Sequence, residues 1–287
     1  MVKITRKGAG ETLRVNVRRN PDGSDFVFLT APVFDDMDFV THLMATRLGG
    51  ASGGVFATMN LSFTRGDDPE HVMENYRRIA GVLGTDPGHI VATQQTHTVH
   101  VRKVTAEDAG KGVTRERDYT DVDGLVTDVP GLALAVYYAD CVPLFFVDPV
   151  HRAIGASHSG WRGTVGRMGQ VTADRMRAEY GTRPENLICV IGTSICRDCY
   201  EVSEDVADAF RAEFGEAAGR MMDDKGGGKY QLDLWEANRT VLLGAGVLPE
   251  HITMPDICTK CNPGLLFSHR VNGEGRGNLA AFLMLRE

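Results

Sequence analysis

The chain has 287 residues, enough to bury a sizeable core as one large domain or two. Its 43% hydrophobic and 24% charged residues are ordinary for a globular protein, and a formal net charge of −7 leaves no basic footprint for nucleic acid. The first residues lack the apolar centre of a signal peptide, no apolar run approaches the roughly 20 residues of a membrane span, and six cysteines in so long a chain make no disulfide scaffold, so a cytoplasmic protein is expected.

In chain order, Leu13-Arg14-Val15-Asn16-Val17, the turn Pro21-Asp22-Gly23-Ser24 and the return Phe26-Val27-Phe28-Leu29 read as a β-hairpin. Thr46 to Gly54 holds four glycines within six residues, a loop where backbone approaches something closely, an anion or nothing at all. Asp68-Pro69 marks a helix start that runs through Val72, Tyr76, Ile79 and Val82 to a stop at Gly84. Ile90 to Val104 reads as two β segments around His97, and residues 105–120 as a charged loop. Apolar runs from Gly124 to Ala156 predict consecutive strands, one leading into Asp140-Cys141 and another ending at His158.

Beyond these, a helix is expected from about Gly163 to Gly181, then a strand Leu187 to Ile191 and a helix capped by Ser203 through Phe214. Asp223 to Gly228 reads as a mobile loop, and Asp233 with Glu236 as a capping box for a helix to Leu243. A turn at Asn272-Gly273 and a last strand Leu279 to Leu285 close the chain. Strands and helices alternate, with hairpins among them, which predicts a mixed α/β fold without repeats.

Three ligand-type side chains sit at strand ends: His97, Cys141 and His158. Two imidazoles and a thiolate suit zinc, and three protein ligands leave a fourth position open, as in catalytic sites. Their spacing matches no short zinc motif, so buried hydrogen-bonded side chains and a Cys141–His158 nucleophile–base pair stay open as alternatives. Cys196-x-x-Cys199 and Cys258-x-x-Cys261 suggest either a closed four-cysteine zinc or buried free thiols. Arg47, Arg162 and Arg270 stand beside glycines or at a strand end and are candidates for bidentate capture of phosphate or carboxylate. Asp140 is a candidate general acid or base, or a carboxylate that orients a ligand.

Taken in order, Thr46-Arg47-x-Gly49-Gly50-x-Ser52, Asn60-Leu61, Gly66-Asp67-Asp68-Pro69, Gln95-x-His97, Ala139-Asp140-Cys141-Val142-Pro143, His158-x-Gly160-Trp161-Arg162-Gly163, Cys199-Tyr200-Glu201-Val202, Leu232-Asp233-Leu234-x-x-Ala237-Asn238 and Cys258-Thr259-x-Cys261 resemble the YfiH-type laccase-domain family. Its members carry the labels polyphenol oxidase, purine nucleoside phosphorylase and peptidoglycan editing factor. The resemblance covers roughly residues 33–287 and leaves residues 1–32 as a hairpin extension. Two departures stand out: Gly192-Thr193-Ser194 where the family has Gly-Pro, and Ser268-His269-Arg270-Val271 where it has Ser-Tyr-Arg-Arg.

The resemblance implies a single layered α-β-β-α domain with mixed sheets, and zinc (copper as the alternative) on His97, Cys141 and His158. It implies phosphorolysis of purine nucleosides, adenosine, inosine and methylthioadenosine among them, and adenosine deamination. Asp140, Cys141 and His158 would carry the chemistry, with Arg47, Asn60, Gln95, Arg162 and Arg270 on nucleoside and phosphate. It places the four remaining motif cysteines in segments that line the core, which argues against a four-cysteine zinc. Partners are then small molecules, without nucleic acid or membrane, on a monomer or homodimer. The competing expectations are a cell-wall-precursor hydrolase built on Cys141 and His158, a copper polyphenol oxidase, and a binding protein with a structural zinc. Nine histidines without a His-x-His pair speak against a copper cluster.

Overall fold

The computed structural model describes residues 3–8 and 10–287. Two six-stranded sheets form its centre. The first has the order Arg14–Arg19, Asp25–Thr30, Val40–Ala45, Leu279–Leu285, Ala133–Tyr138, Ile90–Ala92; the second has Ile252–Thr253, Ile188–Ile191, Val142–Asp148, Ala153–Ser159, Gly124–Thr127, Val101–Lys103. Both mix parallel and antiparallel pairs. The hairpin expected near the start is the outer edge of the first sheet, with Phe28 opposite Ala45 and Leu29 opposite Met44.

Strand alternation sorts the apolar residues into layers. Leu134, Val136, Ala281 and Leu283 of the first sheet meet Leu125, Phe145, Val147 and Ile154 of the second in one buried cluster between the sheets. The opposite face of the first sheet, with Leu43, Ala133, Ala135 and Phe282, is covered by Val72, Tyr76 and Ile79 of helix Pro69–Leu83. The opposite face of the second, with Leu144, Phe146 and Ile191, is covered by Met176, Phe210 and Leu242. The result is a helix–sheet–sheet–helix stack. Burial on both faces explains why these strands read as continuous apolar runs rather than alternating ones.

Local chemistry accounts for most boundaries. Asp68 accepts the N–H of Glu70 at the start of helix Pro69–Leu83, and Gly84, at φ 80°, ends it. The single helix expected over 163–181 is two, Trp161–Val165 and Met168–Tyr180, because Arg167 takes a left-handed φ of 56° between them. Residues 223–228 are not a mobile loop. Met222–Gly226 and Lys229–Leu232 pair as a hairpin, and Glu201–Ser203 extends it to three strands. The glycines that suggested mobility make its turn, Gly226, Gly227 and Gly228 all at positive φ. Among the described residues no helix is long and apolar enough to cross a membrane.

His42, buried on strand Val40–Ala45, accepts the N–H of Ala31 at Nε2 (2.7 Å), with Asp35 Oδ1 4.0 Å away. Burial, helped by the charge of Arg286, lowers its pKa from 6.5 to about 3. The unfolded chain therefore binds this proton at a pH where the folded chain does not. The stability this site contributes is present above pH 6.5 and is lost as pH falls toward 3, at about 1.4 kcal/mol per pH unit. In His42→Gln, whose amide keeps an acceptor without titrating, denaturant midpoints between about pH 6 and 4 are expected to fall less steeply than in the parent chain.

Candidate metal site and cleft

Two connections cross from the first sheet to the second at the same end of the sandwich. Residues 93–100 link Ile90–Ala92 to Val101–Lys103 and carry His97; Ala139-Asp140-Cys141 links Ala133–Tyr138 to Val142–Asp148. His158 lies on the neighbouring strand, opposite Pro143. The ligand atoms of His97, Cys141 and His158 all lie within 4.8 Å of one another, and the two imidazoles meet edge to face with centroids 5.0 Å apart. His158 is buried, Cys141 half-buried and His97 exposed, so the set closes inward and opens outward. Gly160 backs it: a Cβ there would stand 2.9 Å from Cys141 Sγ and 3.2 Å from His97 Cδ2.

Asp123, which was not among the residues expected at the site, organises the set. His158 Nδ1 donates to its Oδ1 (2.8 Å), and the backbone N–H of His97 donates to the same oxygen (3.1 Å). Its Oδ2 accepts from Thr96 N, Thr98 N and Thr98 Oγ1, each at 3.0 Å. Burial pushes this carboxyl up, but the hydrogen bond and charge of His158 and the backbone donors outweigh it and hold it below the usual carboxylate range. With Nδ1 protonated toward Asp123, His158 offers Nε2, the arrangement by which a carboxylate orients a metal-binding histidine. The signal available in the sequence is a carboxylate directly before a strand, in Asp121-Val122-Asp123-Gly124.

Burial likewise pushes the Cys141 thiol up, yet His158 and His97 outweigh it and favour the thiolate. Burial lowers His158, while Cys141 and Asp123 raise it. Two residues here, His97 at φ 65° and Asp140 at φ 87°, hold left-handed backbone that costs on the order of 1–3 kcal/mol each. Asp140 is pinned by Thr259 Oγ1 (2.5 Å to Oδ1), by the N–H of Arg270 (2.7 Å to Oδ2) and by Ile195 N–H on its carbonyl (3.0 Å).

A cleft of about 1110 Å³ opens over the set. Asp140, Gln95 and Arg270 line it, as expected for site residues. Gln95 is largely committed to the wall, accepting from Tyr137 N–H (2.6 Å) and donating to Tyr137 O (2.8 Å). Arg47, Arg162 and Asn60, expected on substrate or phosphate, do not line it. Arg47 donates to Ala57 O and Pro263 O and lies over Phe267, and Arg162 stacks on Trp161. Asn60 is fully buried and braces Ser62 and Asn278, which do line the cleft.

The cations that do face the cleft include Arg65, Arg270 and Arg276. Arg276 is buried, its Nε has no partner, and burial together with the charge of Arg65 lowers its pKa to about 10. It is flanked by glycines in Gly275-Arg276-Gly277, the same kind of cue that marks Arg47.

A family model described as multi-copper polyphenol oxidoreductase laccase matches residues 41–286. The chain belongs to that family. It is 36% identical over 246 residues to the purine nucleoside phosphorylase YlmD of Bacillus subtilis, covering 84% of this chain and 87% of that one. It is 32% identical over 235 residues to the adenosine deaminase RL5 from an unknown prokaryotic organism, covering 81% and 89%. The crystal structure of YlmD from Geobacillus stearothermophilus superposes with a TM-score of 0.87 at 34% identity, over 97% of this chain and all of that one.

Proposed function

We propose that this chain is a zinc-dependent purine nucleoside phosphorylase that also deaminates adenosine. The observation that carries the reading is an open His97–Cys141–His158 set at the floor of a large cleft whose walls supply both aromatic surface and guanidinium groups. Relatives named for both activities support it. Two imidazoles and a thiolate, one histidine oriented by a carboxylate, fit zinc. The multi-copper label fits less well: among the described residues the only groups of three or more convergent ligands are this set and four cysteines, and neither is a cluster of imidazoles.

Zinc held by His97, Cys141 and His158 would supply Lewis-acid chemistry to the reacting group. The chain's own residues do the rest. Phe63, Tyr137 and Tyr200 give planar walls for a purine. Arg276, with Arg65 and Arg270 beside it, holds phosphate against the ribose, taking the role first expected of Arg47 and Arg162. Asp140 moves the proton; both its oxygens accept one hydrogen bond in the chain and retain a lone pair each for substrate. Phosphorolysis exchanges the glycosidic bond for a ribose 1-phosphate bond and returns a proton to the base. Deamination consumes water and releases ammonia.

The two activities separate in one assay. Stripping the metal with a chelator is expected to abolish both ribose 1-phosphate release and adenosine deamination, and zinc to restore them. Arg276→Gln is expected to raise the KM for phosphate about 10-fold or more while deamination, which uses no phosphate, stays within about twofold. Full activity without metal would defeat the reading and favour Cys141 as a nucleophile with His158 as its base, an arrangement consistent with the thiolate-favouring environment of Cys141.

A further inference from the structure

The family resemblance argues against a metal on the remaining motif cysteines, but the fold brings them to one point. Cys196 and Cys199 lie in the loop between Ile188–Ile191 and Glu201–Ser203; Cys258 and Cys261 follow strand Ile252–Thr253. All four sulfurs lie within 4.8 Å of one another, and none is in a disulfide. A tetrahedral ion at a Zn–S distance of about 2.3 Å separates its sulfurs by about 3.8 Å, so this cluster needs only a small contraction to close on one.

The segments that carry the sulfurs are tied together by hydrogen bonds. The N–H of Cys196 points at Cys258 Sγ (3.3 Å), and Lys7 pairs with Asp198 inside the first Cys-x-x-Cys segment (2.9 Å). Each Cys-x-x-Cys segment is a tight turn. Cys199 N–H donates to Cys196 O (3.0 Å), and Asn262 Nδ2 donates to Cys258 O (2.8 Å). The turns are joined by a parallel bridge between Ser194 and Cys258 and by Thr259 N–H on Ser194 O (3.1 Å).

We propose that Cys196, Cys199, Cys258 and Cys261 form a closed four-thiolate site for a structural zinc ion, distinct from the open His97–Cys141–His158 set. With four protein ligands it has no position for substrate, so its work is mechanical. The loops it joins are the ones that hold Asp140: Ile195 N–H reaches the Asp140 carbonyl and Thr259 its carboxylate. Closing the four sulfurs on one ion therefore fixes the strained Asp140 backbone at the floor of the cleft.

The test is zinc stoichiometry and cobalt spectroscopy on the reduced parent chain and on Cys141→Ala, Cys199→Ser and the double variant. Expected are two zinc ions per chain in the parent, one in each single variant and none in the double, because each site is lost independently. Cobalt-loaded Cys141→Ala should show the intense thiolate-to-cobalt absorption of four sulfurs at a tetrahedral ion, and Cys199→Ser should not. Because the cobalt spectrum is read on a chain with all four cysteines intact, it decides the matter even where Cys199→Ser fails to fold. One zinc in the parent that vanishes in Cys141→Ala would overturn the proposal, as would disulfides within the cluster revealed by alkylation and mass measurement. One zinc that survives Cys141→Ala and vanishes in Cys199→Ser would support it while defeating the open zinc set, so the two readings fail separately.

Discussion

Cys141→Ala is expected to lose the metal of the open set and to lower kcat/KM for adenosine phosphorolysis by about 1000-fold or more. A Lewis acid at the reacting group supplies several kcal/mol, and each 1.36 kcal/mol is about tenfold in rate. The fold should survive the change, because Cys141 is half-buried in a three-residue crossover whose geometry depends on Asp140 rather than on the sulfur. Elemental analysis and steady-state assays on the same preparation check this. Deamination should fall in parallel, since both reactions share the site. A chain that loses its metal but keeps its turnover would place the chemistry elsewhere.

Asp123→Asn is expected to weaken the open set by about 10- to 100-fold in metal affinity, with a matching loss of activity. An amide can still accept through its oxygen, but it cannot take all five donors that now converge on the carboxylate. It also removes the buried charge that holds His158 with Nδ1 protonated, so the imidazole offers Nε2 less consistently. Competition with a zinc chelator gives the affinity. Raising free zinc should recover part of the activity in Asp123→Asn and none in Cys141→Ala, which separates an orienting residue from a ligand. An unchanged affinity would show that the turn around His97 holds its geometry without Asp123.

Much of this protein follows from short stretches of its sequence. The helix caps at Asp68 and Asp233 and the stops at Gly84 and Gly181 are local chemistry, and each falls where its residues predict. The apolar runs mark the strands, and the strand-end positions of His97, Cys141 and His158 single them out as candidate ligands. Two misreadings are also local. Glycines at 226–228 suggest mobility where they make a hairpin turn, and Gly166-Arg167 ends one helix and starts the next within a stretch that reads as a single helix.

What the sequence does not decide depends on crossings between distant segments. Whether an arginine near a glycine faces the cleft is settled by which loop it anchors: Arg47 is drawn to Pro263 and Phe267, while Arg276, with glycines on both sides, is left with an unpartnered Nε in the cleft wall. Asp123 is the hub of the metal set only because strand Gly124–Thr127 lies beside Ala153–Ser159. The four cysteines are the strongest case. Residue types set what a side chain can bind, and these are legible in the chain itself. Convergence of two Cys-x-x-Cys turns from remote parts of the chain is a property of sheet order, and only the folded second sheet brings them together.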